Sequence, residues 1–484
     1  MTERPEPSQV RPPDQPATQP PDPDRRRFFR RFAGDVVTSV GSVLGAAQTL
    51  QQQSADAARE LLAGEPVAGA AAEVDASTAG YRAPFRWDAD EGVCRIIDQR
   101  RLPDVLVEIG LRGAADAVGA INDGALNGSP VQAQVAAVML AIVAGRSRMS
   151  RPFARRATIR GAANALRTTR PGSAAMAAAL DRMLARLELL APDTDGDTVA
   201  EALRREAEAI VTEASGDHGA LVTLGLTALP GEPDAPLHVL VAGSTGAMGG
   251  GQFGTALNTV TVAHHAGRPV HALVAETRPG FVGSRIAAWE LSQAGVPYAI
   301  VTDAAAPACI AEGEVAAVLV GADRIAANGD VIAPAGTYAL ALAAADAGVP
   351  LLVFAATTAI DPATPRGEEA TIEEGRPGPV MRAVGTRIAP EGSRIRNPVQ
   401  DLTPAALVAA LITEEGVLRA PFAPAIAAAV GRATERRSAS PGFAALAAAA
   451  ANDAPGVTEA PEAPDAEAVP DAGAAETAPA APAS

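Results

Sequence analysis

Five short apolar runs follow one another in the second half of the chain, and they constrain the fold more than any other feature. Each run has four to six apolar residues and ends in glycine or polar turn residues, and helical stretches separate the runs. The runs lie within HVLVAGS, PVHALVAE, PYAIVTD, AAVLVGAD and PLLVFAAT. Short apolar strands that alternate with helices are typical of a doubly wound parallel sheet. We therefore predict a Rossmann-like α/β domain over 196–440, with ligands bound beyond the carboxyl ends of its strands.

The region before this sheet has helical periodicity instead. Apolar residues recur at helical spacing, interrupted by Gly or Pro, over two segments, 111–145 and 156–190. We predict a mostly helical N-terminal domain over 82–195. The predicted fold class is therefore α/β: a helical domain, then a doubly wound parallel sheet domain, with disordered termini.

The two ends of the chain have a different composition. Residues 1–80 form an arm whose first 24 residues are rich in proline and polar residues, and such a segment cannot bury enough apolar surface to fold. Within the arm, we predict an amphipathic helix over 25–63 with five arginines at its head. Residues 441–484 are rich in Ala, Pro, Glu and Asp, which predicts a disordered acidic tail.

The basic helix at 25–63 has three interpretations. Its arginines and apolar stripe suit peripheral contact with an anionic membrane surface or with a groove on a partner protein. Packing of the helix against its own domain fits the pattern equally well. The run RRRFFRRF also resembles a twin-arginine export signal, but Asp35 follows and no small-residue cleavage site is present, which favours the helix.

Charge and residue counts exclude several classes of function. A net charge of -16 repels phosphate backbones, so we expect no nucleic-acid partner. The five histidines have no metal-site spacing, and we expect neither a metal nor a cofactor. Two cysteines, Cys94 and Cys309, cannot form a disulfide framework, so we expect reduced thiols and a cytoplasmic location. There is no apolar run of 18 or more residues, so we expect no membrane span.

A glycine-rich loop, GSTGAMGGGQFGTAL, follows the first of the five runs. It leads into a predicted helix near Thr255. Exposed backbone amides at the start of a helix suit an anion such as phosphate. We therefore take Gly243, Ser244 and Gly246 as candidate phosphate-binding residues. The alternative is that a tight turn between strand and helix simply requires glycine.

Asp323 is the candidate catalytic residue. The apolar run 316–320 predicts a strand, and Gly321 allows the sharp turn that follows it. Asp323 then lies at the carboxyl end of the strand, where a carboxylate in a dry site can transfer protons. The alternative is that Asp323 caps the following turn, which is common after strands.

Charged residues also follow the second run. Glu276 and Arg278 lie just past its end, where an arginine can donate two hydrogen bonds to a phosphate. The alternative is a structural ion pair between Glu276 and Arg278. Further on, Arg285 and Glu290 can simply cover the polar face of a helix.

Several of these motifs occur together in one known family. The order and spacing of FGTAL, ETRP, GADRIAANGD, GTYALA and NPVQDLTP resemble the S-methyl-5-thioribose-1-phosphate isomerases. The wider family includes ribose-1,5-bisphosphate isomerases and the regulatory subunits of the eukaryotic initiation-factor-2 exchange factor. The resemblance spans about 86–422 and includes an opening hairpin at FRWDADEGVC.

This resemblance implies a function in methionine salvage, the aldose–ketose isomerisation of a phosphorylated ribose derivative. It implies that Asp323 corresponds to the catalytic carboxylate of the family. The segment RTTRPGSAA resembles the Arg-Pro-Thr-Ala segment of the family, which makes Arg170 a second phosphate ligand. A homodimer that pairs through the C-terminal domain is also implied.

The chain departs from the family pattern at the residues that matter for the reaction. Counting back from FGTAL, the family cysteine corresponds to Gly243 and the asparagine after it to Ser244. The family Asn-Lys pair before GTY corresponds to Ala333 and Pro334, and a substrate-contacting arginine corresponds to Asn127. Glycine and proline side chains cannot transfer a proton, and proline has no backbone N–H to donate.

Three hypotheses about function remain open at this stage. The chain is an aldose–ketose isomerase, or it is a non-catalytic relative that binds a sugar phosphate or nucleotide or serves as an assembly partner. The third hypothesis is an enzyme with changed chemistry. A fold alone does not choose between them.

Overall fold

The structure is a computed structural model that describes residues 74–75, 83–383 and 385–438. The predicted helix at 25–63 and the predicted acidic tail at 441–484 lie outside the described residues.

The N-terminal part opens with short antiparallel strands. Three of them form one sheet in the order β2-β3-β5, and β1 pairs with β4. Their bounds are β1 Val74–Asp75, β2 Phe85–Asp88, β3 Val93–Ile97, β4 Val105–Leu106 and β5 Glu108–Leu111. The hairpin β2–β3 begins at the residue that opens the FRWDADEGVC motif, Phe85.

Helices make up the rest of this part. Their bounds are α1 Ala114–Asn122, α2 Ser129–Arg146, α3 Pro152–Thr169, α4 Ala174–Glu188 and α5 Gly196–Ala228. By length and composition alone α2 is a candidate membrane span, but 78% of it is buried inside the structure. Its Val135 and Leu140 belong to a core shared with the other helices. We therefore regard α2 as the central core helix of this part of the chain.

The long helix α5 belongs to two cores. Asp195 accepts a hydrogen bond from the backbone N–H of Thr198 and so caps the start of the helix. Leu203 packs in the core of the N-terminal helices, whereas Leu221 packs in the core of the sheet that follows. A helix of 33 residues is about 50 Å long, which is long enough to join the two.

A sheet of seven strands follows, in the order β18-β17-β12-β9-β6-β7-β8. Neighbouring strands in it are parallel, except that the edge strand β18 is antiparallel to β17. A second sheet of four strands has the order β13-β10-β11-β16, and β14 pairs with β15. The bounds are β6 Leu237–Val241, β7 Val270–Ala275, β8 Tyr298–Val301, β9 Ala317–Gly321, β10 Arg324–Ala326, β11 Val331–Pro334, β12 Leu351–Phe354, β13 Ile360–Asp361, β14 Arg382–Ala383, β15 Thr386–Arg387, β16 Gln400–Thr403, β17 Ala410–Thr413 and β18 Gly416–Leu418.

Helices cover both faces of the seven-stranded sheet. Their bounds are α6 Ala247–Gly250, α7 Ala256–His265, α8 Ala288–Ala294, α9 Ala306–Ala311, α10 Thr337–Ala347, α11 Gly378–Met381 and α12 Phe422–Ser438, with a π-helical turn at Gly283–Ala287. Successive residues of a strand point to opposite faces. Thus Val239 packs with Leu257 of α7 on one face, and Leu240 packs with Leu340 of α10 on the other. The predicted fold class, helices followed by a doubly wound parallel sheet, is confirmed.

The two parts of the chain meet at the glycine-rich loop. Gly128 has φ +109°, and a side chain on it would overlap the backbone of Gly249. Nearby, Gln134 donates a hydrogen bond of 2.7 Å to the carbonyl of Gly250. Gln99 donates one of 2.8 Å to the carbonyl of Met248. The loop is therefore held in place by buried amide side chains from the N-terminal part.

A buried ion cluster fastens the C-terminal helix α12. Arg437 donates hydrogen bonds to Asp217 (3.1 Å), Thr357 (2.9 Å) and Glu414 (3.3 Å). Arg436 pairs with Asp217 at 2.8 Å. Burial, together with the neighbouring carboxylate of Asp217, raises the pKa of Glu414 to about 7, against the opposing hydrogen bonds from Thr357 and the charge of Arg437.

The close contact between Gly128 and Gly249 predicts that even an alanine at position 128 destabilises the protein. Gly128→Ala should lower the free energy of unfolding by about 2–4 kcal/mol, because it combines a strained backbone with overlap. Gly119→Ala is the matched control, since Gly119 lies in α1 and a Cβ there meets nothing within 4 Å. The control should be neutral or stabilising. Urea unfolding of both variants measures this, and equal stabilities would contradict the packing.

The pKa of Glu414 predicts how stability changes with pH. Because its pKa is higher in the folded state than the ordinary 4.5, the folded state binds this proton more tightly. The stability that the folded state gains by binding this proton is fully present below about pH 4.5. It is lost as pH rises through about 7.

Glu414→Gln should therefore remove about 1–3 kcal/mol of the fall in stability between pH 5 and 8. Glu415→Gln removes the neighbouring carboxylate, which also pairs with Arg436, but it leaves Glu414 in place and should keep the fall. Thermal unfolding at several pH values checks both variants, and an unchanged pH dependence in Glu414→Gln would rule the effect out.

Candidate functional site

Asp323 lies between the two sheets and is 8% exposed. Its backbone N–H donates to the carbonyl of Ile332 at 2.9 Å, and its carbonyl accepts from Ala174 at 3.0 Å. Its carboxylate accepts hydrogen bonds from Ser129, from Arg170 at 3.1 Å and from Gln400 at 2.5 Å. No backbone N–H of the described residues donates to the Asp323 side chain, so the alternative of a turn cap is not what the structure shows.

Arg170 follows the last residue of α3 and lies against Asp323, as the sequence could not show. Besides Asp323, its guanidinium donates to Glu373 at 2.9 Å and to Gln132 at 3.1 Å. Burial works against the positive charge, but the carboxylates of Asp323 and Glu373 outweigh it and raise the pKa of Arg170. Arg170 therefore stays charged and is held by three partners, which leaves it as the centre of an ion network.

Glu373 completes this network. Its second oxygen accepts the N–H of Gly172 at 2.8 Å. Burial raises the pKa of Glu373, and Arg170 opposes that shift. Ser129, Gln132, Glu373 and Gln400 were all missed by sequence reasoning. Their side chains reach Asp323 or Arg170 from positions as far as 203 residues away in the chain, and no local pattern signals such contacts.

The glycine-rich loop begins directly after β6. Gly243 has φ +81° and donates its N–H to the hydroxyl of Thr277 at 3.1 Å. The N–H groups of Met248 to Gly251 are also used, by Glu290 and by the turns of α6. The amide of Gly243 is therefore not free to bind an anion, contrary to what the glycine-rich sequence suggests.

Other groups of the loop have no partner. The hydroxyls of Ser244 and Thr245 are buried without a hydrogen bond. Within the described part of the chain, the backbone N–H groups of Ser244, Thr245 and Gly246 also make none. A Cβ on Gly246 would overlap the carboxylate of Glu290, so a larger residue there requires the end of the Glu290 side chain to move. The donors that suit an anion are therefore those of residues 244–246.

Arg278 follows β7, the neighbour of β6 in the sheet. Its backbone N–H donates to Asp303 at 2.6 Å, and its guanidinium lies over the ring of Phe281 at 4.5 Å. One guanidinium nitrogen, Nη1, is buried without a hydrogen bond. No ion pair joins Arg278 to Glu276 among the described residues, so the alternative of a structural pair is not seen. Glu276 itself is half-buried at the end of β7.

Two of the positions that depart from the family pattern face each other. Gly243 and Pro334 line one small cavity, together with Thr277, Asp303 and Gly336. A Cβ built on Gly243 would come within 3.7 Å of the Pro334 ring, which is an ordinary contact distance. The cavity therefore has room beside Gly243. The oxygens of Asp303 accept the N–H groups of Thr277 (2.8 Å) and Arg278 (2.6 Å).

The remaining candidates support the site from outside. Asn127 donates its side-chain amide to Gly124 (2.8 Å) and Gln99 (3.2 Å), within its own part of the chain. Arg285 donates to the carbonyls of Leu102 (3.1 Å) and Gln99 (2.9 Å), and burial lowers its pKa. Arg285 thus joins the two parts of the chain, which corrects the interpretation that it covers a polar helix face.

Among residues 83–438 that the structure describes, no group of three or more His, Cys, Asp or Glu can hold a metal ion.

Comparison with known proteins supports one assignment. Residues 125–420 match the model of the initiation factor 2 subunit family. The chain is 38% identical to a methylthioribose-1-phosphate isomerase of Chloroflexus aurantiacus over 346 residues, which is 70% of this chain and 96% of that protein. It is 40% identical to one of Anaeromyxobacter sp. over 349 residues, 72% of this chain and 98% of that protein.

Solved structures agree. A 5-methylthioribose 1-phosphate isomerase from Pyrococcus horikoshii is similar, with a TM-score of 0.64 and 28% identity over 74% of this chain and 98% of that one. The translation initiation factor eIF-2B, subunit delta, from A. fulgidus has a TM-score of 0.59 and 28% identity, covering 72% of this chain and 99% of that one. The resemblance inferred from the motifs is confirmed: this chain matches its methylthioribose-1-phosphate isomerase relatives along almost their whole length, and it belongs to the initiation factor 2 subunit family.

Proposed function

We propose that this chain is a divergent member of its family that binds a phosphorylated ribose derivative and has lost aldose–ketose isomerase chemistry. The names of its relatives identify methylthioribose-1-phosphate isomerases, which suggests methylthioribose 1-phosphate or a similar sugar phosphate as the ligand class. Non-catalytic binding of such a ligand, or of a nucleotide, is the second of the three hypotheses that the sequence leaves open.

We base the binding part of this proposal on one observation. Unpartnered donors follow the ends of two adjacent parallel strands: the Ser244 and Thr245 hydroxyls after β6, and Arg278 Nη1 after β7. The hydrogen bond from Gly243 to Thr277 shows that the two loops touch. Buried donors without partners are costly, and a phosphate would satisfy them. Charge-assisted bonds from Arg278 would hold it.

The chemistry supports loss of catalysis. Moving a proton between two carbons of a sugar requires a group that accepts and returns it, and a second group that moves protons at the two neighbouring oxygens. Asp323 is the matching carboxylate, but three donors already occupy its oxygens. Gly243 and Pro334, which face each other across the cavity, have no group that can transfer a proton.

Cytoplasmic location and homodimer formation are part of the same proposal. Cys94 and Cys309 are free thiols, which fits a reducing compartment.

The edge strand β8 exposes Tyr298 (36%) and Ile300 (50%), and an uncovered apolar edge favours pairing with a second copy. We expect Ile300→Asp to shift the protein from dimer to monomer in light scattering, while Ile388→Asp, at another exposed site, should leave it a dimer. A monomeric wild-type protein would contradict this part.

The function is tested by separating binding from turnover. Calorimetric titration with methylthioribose 1-phosphate, ribose phosphates and nucleotides should detect binding of a phosphorylated ribose derivative. A chromatographic assay of the same protein should detect no ketose product above background. Product formation that disappears in Asp323→Asn would overturn the loss of catalysis, and failure of every phosphorylated sugar to bind would overturn the binding site.

Arg278 provides the sharpest variant. Arg278→Ala should weaken binding about 10- to 100-fold, as expected for loss of a charge-assisted hydrogen bond. Arg278→Lys keeps the charge but not the forked geometry, so its affinity should be intermediate. Arg160→Ala is the control, because Arg160 is 54% exposed and pairs with Glu188 on the helical surface. Unchanged binding in Arg278→Ala would place the ligand elsewhere.

A further inference from the structure

A segment rich in arginine lies between two residues of the candidate site, Glu373 and Gln400. We call residues 374–396 the basic arm. It contains five arginines, Arg376, Arg382, Arg387, Arg394 and Arg396, against two acidic residues, Glu374 and Glu391. In a chain with a net charge of -16, such an excess of positive charge over one short segment marks a distinct surface.

Both ends of the basic arm are held at the site. Before it, Glu373 bonds to Arg170 (2.9 Å) and to the N–H of Gly172 (2.8 Å). After it, Gln400 bonds to Asp323 at 2.5 Å. A short ladder closes the base, in which the N–H of Gly375 donates to the carbonyl of Asn397 at 2.7 Å. The base is therefore ordered by buried polar contacts.

Beyond this base, the arm is exposed. It carries the short hairpin β14–β15, and Ile388 beside it is 60% exposed. Arg387 pairs with Glu391 at 3.2 Å, with side-chain exposures of 45% and 88%. In the part of the chain that the structure describes, Arg394 makes no ion pair or hydrogen bond. Arginines in this state remain available to another negatively charged group, since exposed pairs are weak and easily exchanged.

The C-terminal segment of the same chain has the opposite charge. Residues 439–484 contain seven acidic residues and no Lys or Arg, and all seven lie between Asp453 and Glu476. This segment continues from α12, whose Arg437 bonds to Thr357 at 2.9 Å. Thr357 follows β12, the neighbour of the strand that leads to Asp323. The described part of the chain therefore ends, at Ser438, at the same edge of the sheet as the candidate site.

The length of chain after α12 exceeds the distance from α12 to the base of the basic arm. Thr357 leads into β13, at one edge of the four-stranded sheet, and the basic arm ends at β16, at the other edge. Three strand spacings amount to about 15 Å. Random-coil dimensions for roughly 25 residues, the separation between Ser438 and the middle of the acidic stretch, are about 25–30 Å, so this length of chain is sufficient. Tethering then gives an effective concentration on the order of millimolar.

We propose that the basic arm is a docking surface for the acidic segment Asp453–Glu476 of the same chain. Individual arginine–carboxylate contacts on a surface are weak and sensitive to salt, but several of them act together when both groups are tethered. This docking does not depend on which ligand the cleft binds. A second copy of the chain and a nucleic acid are the competing occupants, and the measurement below separates them.

Energy transfer in the full chain tests the proposal. Donor and acceptor dyes are attached at Thr386→Cys in the arm and Ala466→Cys in the acidic segment, in a Cys309→Ser background. Cys94 can remain, because it is buried and burial raises the pKa of its thiol, so it does not react. We expect transfer efficiency to be high at low salt and to fall about two-fold at 1 M salt, where charges are screened beyond about 3 Å.

Arginine variants show whether the arm is the surface. The triple substitution Arg382→Gln, Arg387→Gln and Arg394→Gln should reduce the low-salt efficiency to its high-salt value. The control triple, Arg148→Gln, Arg160→Gln and Arg205→Gln, removes exposed arginines of the helical part (57%, 54% and 73% exposed) and should leave the efficiency unchanged. Equal thermal unfolding of the two triples excludes a folding defect as the cause.

Three results would overturn the proposal. The first is a transfer efficiency that changes neither with salt nor with the arm substitutions. The second is transfer between singly labelled chains that falls both with salt and with the arm substitutions, which would make a second copy the occupant; transfer that comes only from a dimer would respond to neither. The third is nucleic acid that copurifies with the wild-type protein but not with the arm variant.

Discussion

The buried ion pair between Arg170 and Asp323 is the contact on which the arrangement of the candidate site depends. It joins the end of a helix in the N-terminal part to the end of a strand in the C-terminal sheet, at 3.1 Å. Burying two charges is costly unless their remaining donors and acceptors are satisfied. Ser129, Gln132, Gln400 and Glu373 satisfy them. The site therefore depends on contacts from five separate stretches of chain, and the arrangement of the two parts depends on the site.

The same constraint shapes the chemistry that we propose. A carboxylate that accepts three hydrogen bonds is well placed to orient an arginine, and less well placed to collect a proton from a substrate. Gly243 and Pro334, which line the cavity, contribute shape but no acid or base. The donors left without partners, at Ser244, Thr245 and Arg278, suit an anion. Binding of a phosphate without turnover is the function that this combination favours.

Much of the fold could be predicted because its signals are local. Each of the five apolar runs is a strand of the main sheet. Four of them are mostly buried, and a strand buried on both faces must be continuously apolar; the fifth, β8, is an exposed edge strand. The start of the helix after the glycine-rich loop could also be predicted, near Thr255. Position along a strand further placed Asp323 and Arg278 at the ligand edge. The partners of Arg170 and Asp323 could not be predicted, because Glu373 and Gln400 come from the two ends of a long excursion whose path depends on tertiary packing. The role of Arg285 as a bridge to Gln99 and Leu102 was hidden for the same reason.

The most direct test of the central claim is proton exchange on the bound sugar. Methylthioribose 1-phosphate is incubated with the protein in deuterated water and followed by proton and phosphorus nuclear magnetic resonance. Any transfer between neighbouring carbons by a side chain that exchanges with solvent introduces deuterium, even when no net product accumulates. We predict a shifted phosphorus resonance, from binding, with no deuterium at either carbon. Deuterium that appears with the wild-type protein and not with Asp323→Asn would show that the site still transfers protons.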